Sequence, residues 1–254
     1  MVLLLAICHY RDPPWWRTVA NVNLRQQLRP LATLALAILA PLGAHASPPT
    51  DMAARVQACV ACHGQDGRAT NEGYFPRIAG KPEGYLYHQL LNFREGRRQN
   101  AAMAYLLRNM SDDYLRQIAA YFAQLDLPYP APQTTGAAPE VLARGEQLVR
   151  RGDPQLKLPA CASCHGAAMT GIAPAVPGLL GLPRDYLLGQ FGAWRNGVRQ
   201  AHAPDCMGEI ARRLSPEDVT AMALWLSSQP VTGGPASAAS APDPWPMRCG
   251  RVNP

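Results

Sequence analysis

Between Ser111 and Ala123 the apolar residues Leu115, Ile118, Ala119 and Phe122 recur three or four positions apart, which lines them along one face of a helix. Ser111 stands ahead of this stretch as its N-cap. A second such stretch opens at Ser215-Pro216-Glu217-Asp218, where the serine can cap, the proline suits the first helical position and the acids suit the first turn. Upstream of each, a helix is predicted from the Lys81 region to Arg98 and from the Leu182 region to Arg199, with loops before and after it. A short helix leads into residues 58–64 and 160–166. No segment advertises a strand, so the predicted fold class is all-α.

These elements occur twice because the sequence itself does. Residues 75–99 read FPRIAGKPEGYLYHQLLNFREGRRQ and residues 176–200 read VPGLLGLPRDYLLGQFGAWRNGVRQ; without a gap, Pro76, Gly80, Tyr85, Gln89, Arg94 and Arg98 recur as Pro177, Gly181, Tyr186, Gln190, Arg195 and Arg199. Further on, the segment from Met103 matches the segment from Met207 after a three-residue insertion in the second copy. The chain is therefore a tandem repeat of two domains, placed at 47–127 and 140–229. The proline-rich stretch 128–139 between them is a linker, and the Pro/Ala/Ser-rich residues 230–254 are a tail on the surface. A length of 254 residues accommodates two such domains.

Composition changes this picture mainly at the start of the chain. Arg25 and Arg29 precede an apolar run from Pro30 to Leu42, and Ala44-His45-Ala46 supplies a small-x-small site. The run is short of the roughly 20 apolar residues that span a bilayer. Residues 1–46 are thus expected to be a leader with a signal peptide cleaved after Ala46, which makes the mature protein periplasmic. Its removal takes away four arginines and one aspartate and lowers the formal charge from +6 to +3. That weak charge does not call for nucleic acid, and any membrane association is expected to be peripheral.

The chemistry lies in ACVACHG (58–64) and ACASCHG (160–166). Two cysteines three positions apart stand about one helical turn from each other, spaced to take the two vinyl groups of one porphyrin as thioethers. The histidine that follows can ligate the iron, and the unit is the attachment signature of c-type haem. A zinc site could in principle combine the two cysteine pairs, while a redox dithiol or simple disulfides would leave the histidines idle. Only haem uses all three residues, twice. Cys59, Cys62, Cys161 and Cys164 are accordingly the expected covalent attachments of two haem c groups, with His63 and His165 as axial ligands. Met103, 40 residues after His63, and Met207, 42 after His165, superimpose in the repeat and are the expected second ligands. Met110, Met169 and Met222 are expected to be packing residues. Pro76 and Pro177 follow their histidines by 13 and 12 residues, where a backbone carbonyl can accept the other ring N–H. Arg94 and Arg195 either reach haem propionates or lie on a solvated helix face.

With these motifs and blocks, the chain resembles dihaem class I cytochromes c of the cytochrome c4 type across nearly all of its mature length. The resemblance implies two tandem cytochrome c domains, each with one His/Met haem. It implies an electron carrier, not an enzyme, relaying electrons from a donor dehydrogenase or respiratory complex to a terminal acceptor such as an oxidase. Cys206, beside Met207, and Cys249 depart from the pattern. Related two-haem proteins include thiosulfate dehydrogenases in which cysteine ligates haem, so a catalytic alternative is oxidation of a small inorganic sulfur substrate at the second haem. The expectation preferred here is a disulfide between Cys206 and Cys249.

Overall fold

A computed structural model describes residues 51–70, 74–232 and 241–252; the leader expected over 1–46 lies outside the described residues. The first repeat contains α1 (Met52–Arg55), α2 (Gln57–His63), α3 (Glu83–Arg94), α4 (Ala101–Leu107) and α5 (Asp112–Ala123). The second contains α6 (Pro139–Arg151), α7 (Cys161–His165), α8 (Arg184–Arg195), α9 (Cys206–Arg213) and α10 (Pro216–Ser227). One two-stranded hairpin, β1 (Gly171–Ile172) with β2 (Val176–Pro177), is antiparallel and pairs Gly171 with Pro177. Among the described residues no helix is long and apolar enough to cross a membrane.

The predicted caps operate. Ser111 Oγ accepts from the Tyr114 amide at 3.2 Å and Ser215 Oγ from the Asp218 amide at 3.0 Å, each satisfying a donor that the first helical turn leaves open. On α5, Leu115, Ile118, Ala119 and Phe122 are all buried, so the periodicity marks the core face. In the second repeat the centre is the crossing of α6 and α10. Leu148 and Val149 meet Met222 and Trp225 there, and a Cβ on Gly145 would collide with the Ala221 carbonyl oxygen. Among the described residues the first repeat has no leading helix of that length. It closes its corresponding edge with the short α1, where Arg55 lies 4.4 Å over the Tyr114 ring and donates to Gln117 Oε1 at 3.2 Å.

Three expectations need correction. The helices predicted to run to Arg98 and Arg199 end at Arg94 and Arg195, because Gly96 (φ 77°) and Gly197 (φ 72°) take the left-handed conformation that stops a helix. The segments carrying Met103 and Met207, expected to be loops, are the helices α4 and α9, capped by Asn100 and Asp205. The hairpin β1–β2 was not anticipated; two residues per strand leave too short a pattern for alternation to register.

Freed from α3 and α8, the segments beyond the glycines become extended and meet. Arg98 and Arg199 form an antiparallel bridge, with the Gln99 amide donating to the Val198 carbonyl (2.8 Å) and the Gln200 amide to the Arg97 carbonyl (2.7 Å). The stretch between the repeats is also fixed. Arg77 donates to the carbonyls of Leu127 (2.5 Å) and Pro128 (2.9 Å), and the Gln133 amide donates to the Ser227 carbonyl at 2.8 Å.

Candidate haem sites

Both histidines end the short helix that carries their cysteines, and both are oriented the same way. His63 Nδ1–H donates to the Pro76 carbonyl at 2.9 Å and His165 Nδ1–H to the Pro177 carbonyl at 2.8 Å. A carbonyl only accepts, so Nδ1 carries the proton and the lone pair of each ring lies on Nε2. Burial pushes the pKa of His63 below the usual imidazole value, with the charge of Arg98 acting in the same direction against the Pro76 hydrogen bond. For His165 burial again dominates, joined by the charge of Lys81. Both shifts favour the neutral ring, the form that ligates a metal.

None of the four motif cysteines is in a disulfide. Burial pushes the Cys161 thiol up to about 12 and raises Cys59 and Cys164 as well. A zinc site or redox dithiol needs thiolates, which these surroundings disfavour. Among the described residues no group of three or more His, Cys, Asp or Glu side chains is placed to hold a metal ion, so the two cysteine pairs do not combine into a zinc site.

The structure brings each methionine and its motif to one core. Cys59 and Met103 pack, partly exposed, on the edge of the cluster of Leu86, Leu107, Leu115 and Phe122. Cys161 and Met207 do so on the cluster of Leu148, Leu187, Ile210 and Met222. Of the competitors, Met169 and Met222 are buried, whereas Met110 packs on the same core as Met103 and lends its backbone carbonyl to Arg94. Cys206 is joined to Cys249 in a disulfide with a Cα–Cα distance of 5.2 Å.

The two arginines named for the propionates are placed differently. Arg94 is committed to the start of α5, donating to the Met110 carbonyl (2.8 Å) and Asp112 Oδ1 (2.6 Å), and Arg195 is exposed. The inward-facing guanidiniums are Arg98 and Arg199. Arg98 donates to Gln89 Oε1 (2.9 Å), Gln190 Oε1 (2.8 Å) and Tyr186 Oη (3.4 Å). Arg199 donates to Gln190 Oε1 (2.6 Å), Gln89 Oε1 (3.2 Å) and Tyr85 Oη (3.4 Å). The acceptors are glutamine amides and tyrosine hydroxyls, and burial together with the charge of Arg98 depresses the pKa of Arg199. Arg199 also lies 3.9 Å over the ring of Trp194, whose buried Nε1–H has no partner. Two converging cations and an orphaned donor are what a pair of carboxylates would satisfy, so this interface fits the acidic side of a haem. The signal was in the repeat, since Arg98 and Arg199 occupy matching positions.

No family model matches the chain. It is 37% identical over 213 residues to the thiosulfate dehydrogenase electron acceptor of Thiomonas intermedia, covering 83% of this chain and 94% of that one. It is 36% identical over 176 residues to cytochrome c4 of Pseudomonas aeruginosa, covering 68% and 84%. Among solved structures, reduced recombinant cytochrome c4 from Pseudomonas stutzeri aligns with a TM-score of 0.58 and 29% identity over 68% of this chain and 94% of that one. The thiosulfate dehydrogenase TsdBA of Marichromatium purpuratum aligns with a TM-score of 0.61 and 31% identity over 68% of this chain, which spans 36% of that longer chain.

Proposed function

Because the chain belongs to the cytochrome c4 family, dihaem c-type cytochromes that transfer electrons, we propose that it takes electrons in the periplasm from a thiosulfate dehydrogenase or a similar donor and passes them to a terminal acceptor such as an oxidase. When bound, each haem supplies a one-electron exchange between ferric and ferrous iron. The chain's own residues do the rest. Cys59 and Cys62 hold one haem covalently and Cys161 and Cys164 the other. His63 and His165 would ligate the irons through Nε2, their tautomer and direction fixed by the Pro76 and Pro177 carbonyls. Met103 and Met207 would supply a sulfur ligand to the iron from helices whose first turns are capped by Asn100 (3.0 Å to the Met103 amide) and Asp205 (3.0 Å to the Gly208 amide). Arg98, Arg199 and the Trp194 indole N–H would neutralise and hold haem carboxylates.

The observation that supports this reading is that each repeat carries a histidine whose Nδ1 is held by a backbone carbonyl, leaving Nε2 for a metal, and a methionine on the same core, so that the pair could ligate the iron of one haem. The catalytic alternative drew on the Cys206 sulfur as a ligand, and that sulfur is bonded to Cys249.

The test is to mix the ferric, fully loaded protein with thiosulfate and a thiosulfate dehydrogenase and to follow haem reduction by absorbance. Two electrons are expected to enter each molecule, and none when the dehydrogenase is omitted. Direct reduction by thiosulfate alone would favour the catalytic alternative, and no reduction with the dehydrogenase present would remove it as a donor.

A further inference from the structure

The two repeats hold their methionine helices in different ways. In the first, five steps take the chain from Arg98 to Met103, and Asn100 closes the turn by accepting from the Met103 amide at 3.0 Å. In the second, the three-residue insertion lengthens the run from Arg199 to Met207 to eight steps and sends it through exposed His202, Ala203 and Pro204. A longer excursion has more conformations to suppress. Asp205 suppresses some, its Oδ2 accepting from the Ala201 amide (2.9 Å) and its Oδ1 from the Gly208 amide (3.0 Å).

The C-terminal tail contributes the remainder. Cys249, itself buried, is bonded to Cys206, the residue just before Met207 in the first turn of α9. The Gly250 amide donates to the Pro204 carbonyl at 3.0 Å, and a Cβ on Gly250 would run into the carbonyl oxygens of His202 and Ala203, so the tail backbone lies directly on the inserted segment. Met247 packs on the same core as Met207. At the position matching Cys206 the first repeat has Ala102, where a shorter loop needs no brace.

We propose that the disulfide-anchored tail is a positioning device for Met207, fixing the inserted loop so that the methionine stays on the second site. The proposal rests on reading Met207 as an axial ligand. Cys206 and Cys249 touch no reacting group and act only through the backbone of α9.

The experiment uses the full-length, haem-loaded ferric protein. For each haem it follows the methionine-to-iron absorption band and the ligand methyl resonance as pH is raised and the methionine is displaced. Two forms are compared with wild type. One is the Cys206→Ser/Cys249→Ser variant. The other is wild-type protein whose disulfide is opened after maturation by a water-soluble phosphine, with the thiols then capped by iodoacetamide; the phosphine supplies the two electrons and leaves as its oxide, taking oxygen from water. This second form keeps the test available if the variant fails to assemble. Expected in both is displacement from one haem at a pH lower by about one unit, a tenfold larger methionine-off population at a given pH, with the other haem unmoved. Wild-type midpoints at both haems, or an equal shift at both, would overturn the proposal. Met207→Ala tests the underlying reading separately, because a variant that keeps both methyl resonances shows that Met207 is not a ligand, whatever the disulfide does.

Discussion

Lys81 occupies the position that Leu182 holds in the second repeat, and both are buried. Its Nζ reaches the Gly178 carbonyl at 3.4 Å, a weak contact, and no carboxylate pairs with it among the described residues. Burial, with Arg77 acting in the same direction, lowers its pKa from 10.5 to about 8. Below pH 8 the ammonium is charged in both folded and unfolded chains, and the folded one bears the cost of burying it. Between pH 8 and 10.5 only the folded chain has lost the proton, so the unfolded chain binds more protons and stability rises with pH. Lys81→Leu should therefore stabilise the protein at pH 7 by about 2–3 kcal/mol, a gain that fades as the pH passes from 8 toward 10.5. Urea unfolding of both proteins at pH 7 and pH 10 checks it, and an equal gain at both pH values would mean that packing alone is responsible. At this scale the cysteines, histidines and carbonyl-bearing prolines were legible, because haem attachment fixes their spacing within a dozen residues. The arginines were not. Whether Arg94 or Arg98 turns inward depends on where the chain goes after Gly96, and that exit is set by packing against the other repeat.

Gly145 shows what an element needs beyond its periodicity. It sits where α6 crosses α10, and the group facing it is the Ala221 backbone carbonyl, which cannot swing aside as a side chain could. The added Cβ of Gly145→Ala would also stand 2.9 Å from Trp225 Cβ. Overpacking of this kind costs about 1–3 kcal/mol and exceeds the small gain in helix propensity. The variant should melt its second domain at lower temperature while the first, whose leading helices make no such crossing, keeps its midpoint. Calorimetry resolves the two, and an unchanged second transition would show that the helices slide apart freely. Helix starts were readable because Ser111 and Ser215 announce themselves locally. The helices bearing Met103 and Met207 were less so: seven and eight residues give an apolar period little room, and only the capping side chains Asn100 and Asp205 marked them.

For the whole molecule, the decisive contact is the one between the copies. Tyr85, Gln89 and Arg98 match Tyr186, Gln190 and Arg199 in the repeat, and in the structure each set faces the other. The sequence made the recurrence visible but could not assign it. A residue needed inside each domain and a residue needed between the two domains leave the same trace, the same letter at the same place in both copies. Geometry separates the two cases, because Gln190 Oε1 accepts from Arg98 at 2.8 Å and from Arg199 at 2.6 Å, binding a guanidinium from each repeat with one oxygen. Hydrogen bonds to charged donors are worth about 1.5–3 kcal/mol each, and their removal leaves two like charges converging on a smaller set of acceptors. Gln190→Ala removes one bond between the repeats, from Arg98, and one within the second, from Arg199, and should thus weaken the domain–domain contact by about 1.5–3 kcal/mol. Its signature in calorimetry is a first domain and a second domain that unfold further apart in temperature than in wild type. The same broadening should follow from Gln89→Ala, and the double variant should lose less than the two singles together, since both glutamines serve the same pair of arginines. Strictly additive losses would show that the two glutamines act as independent local contacts, and the interface would then not be a coupled unit.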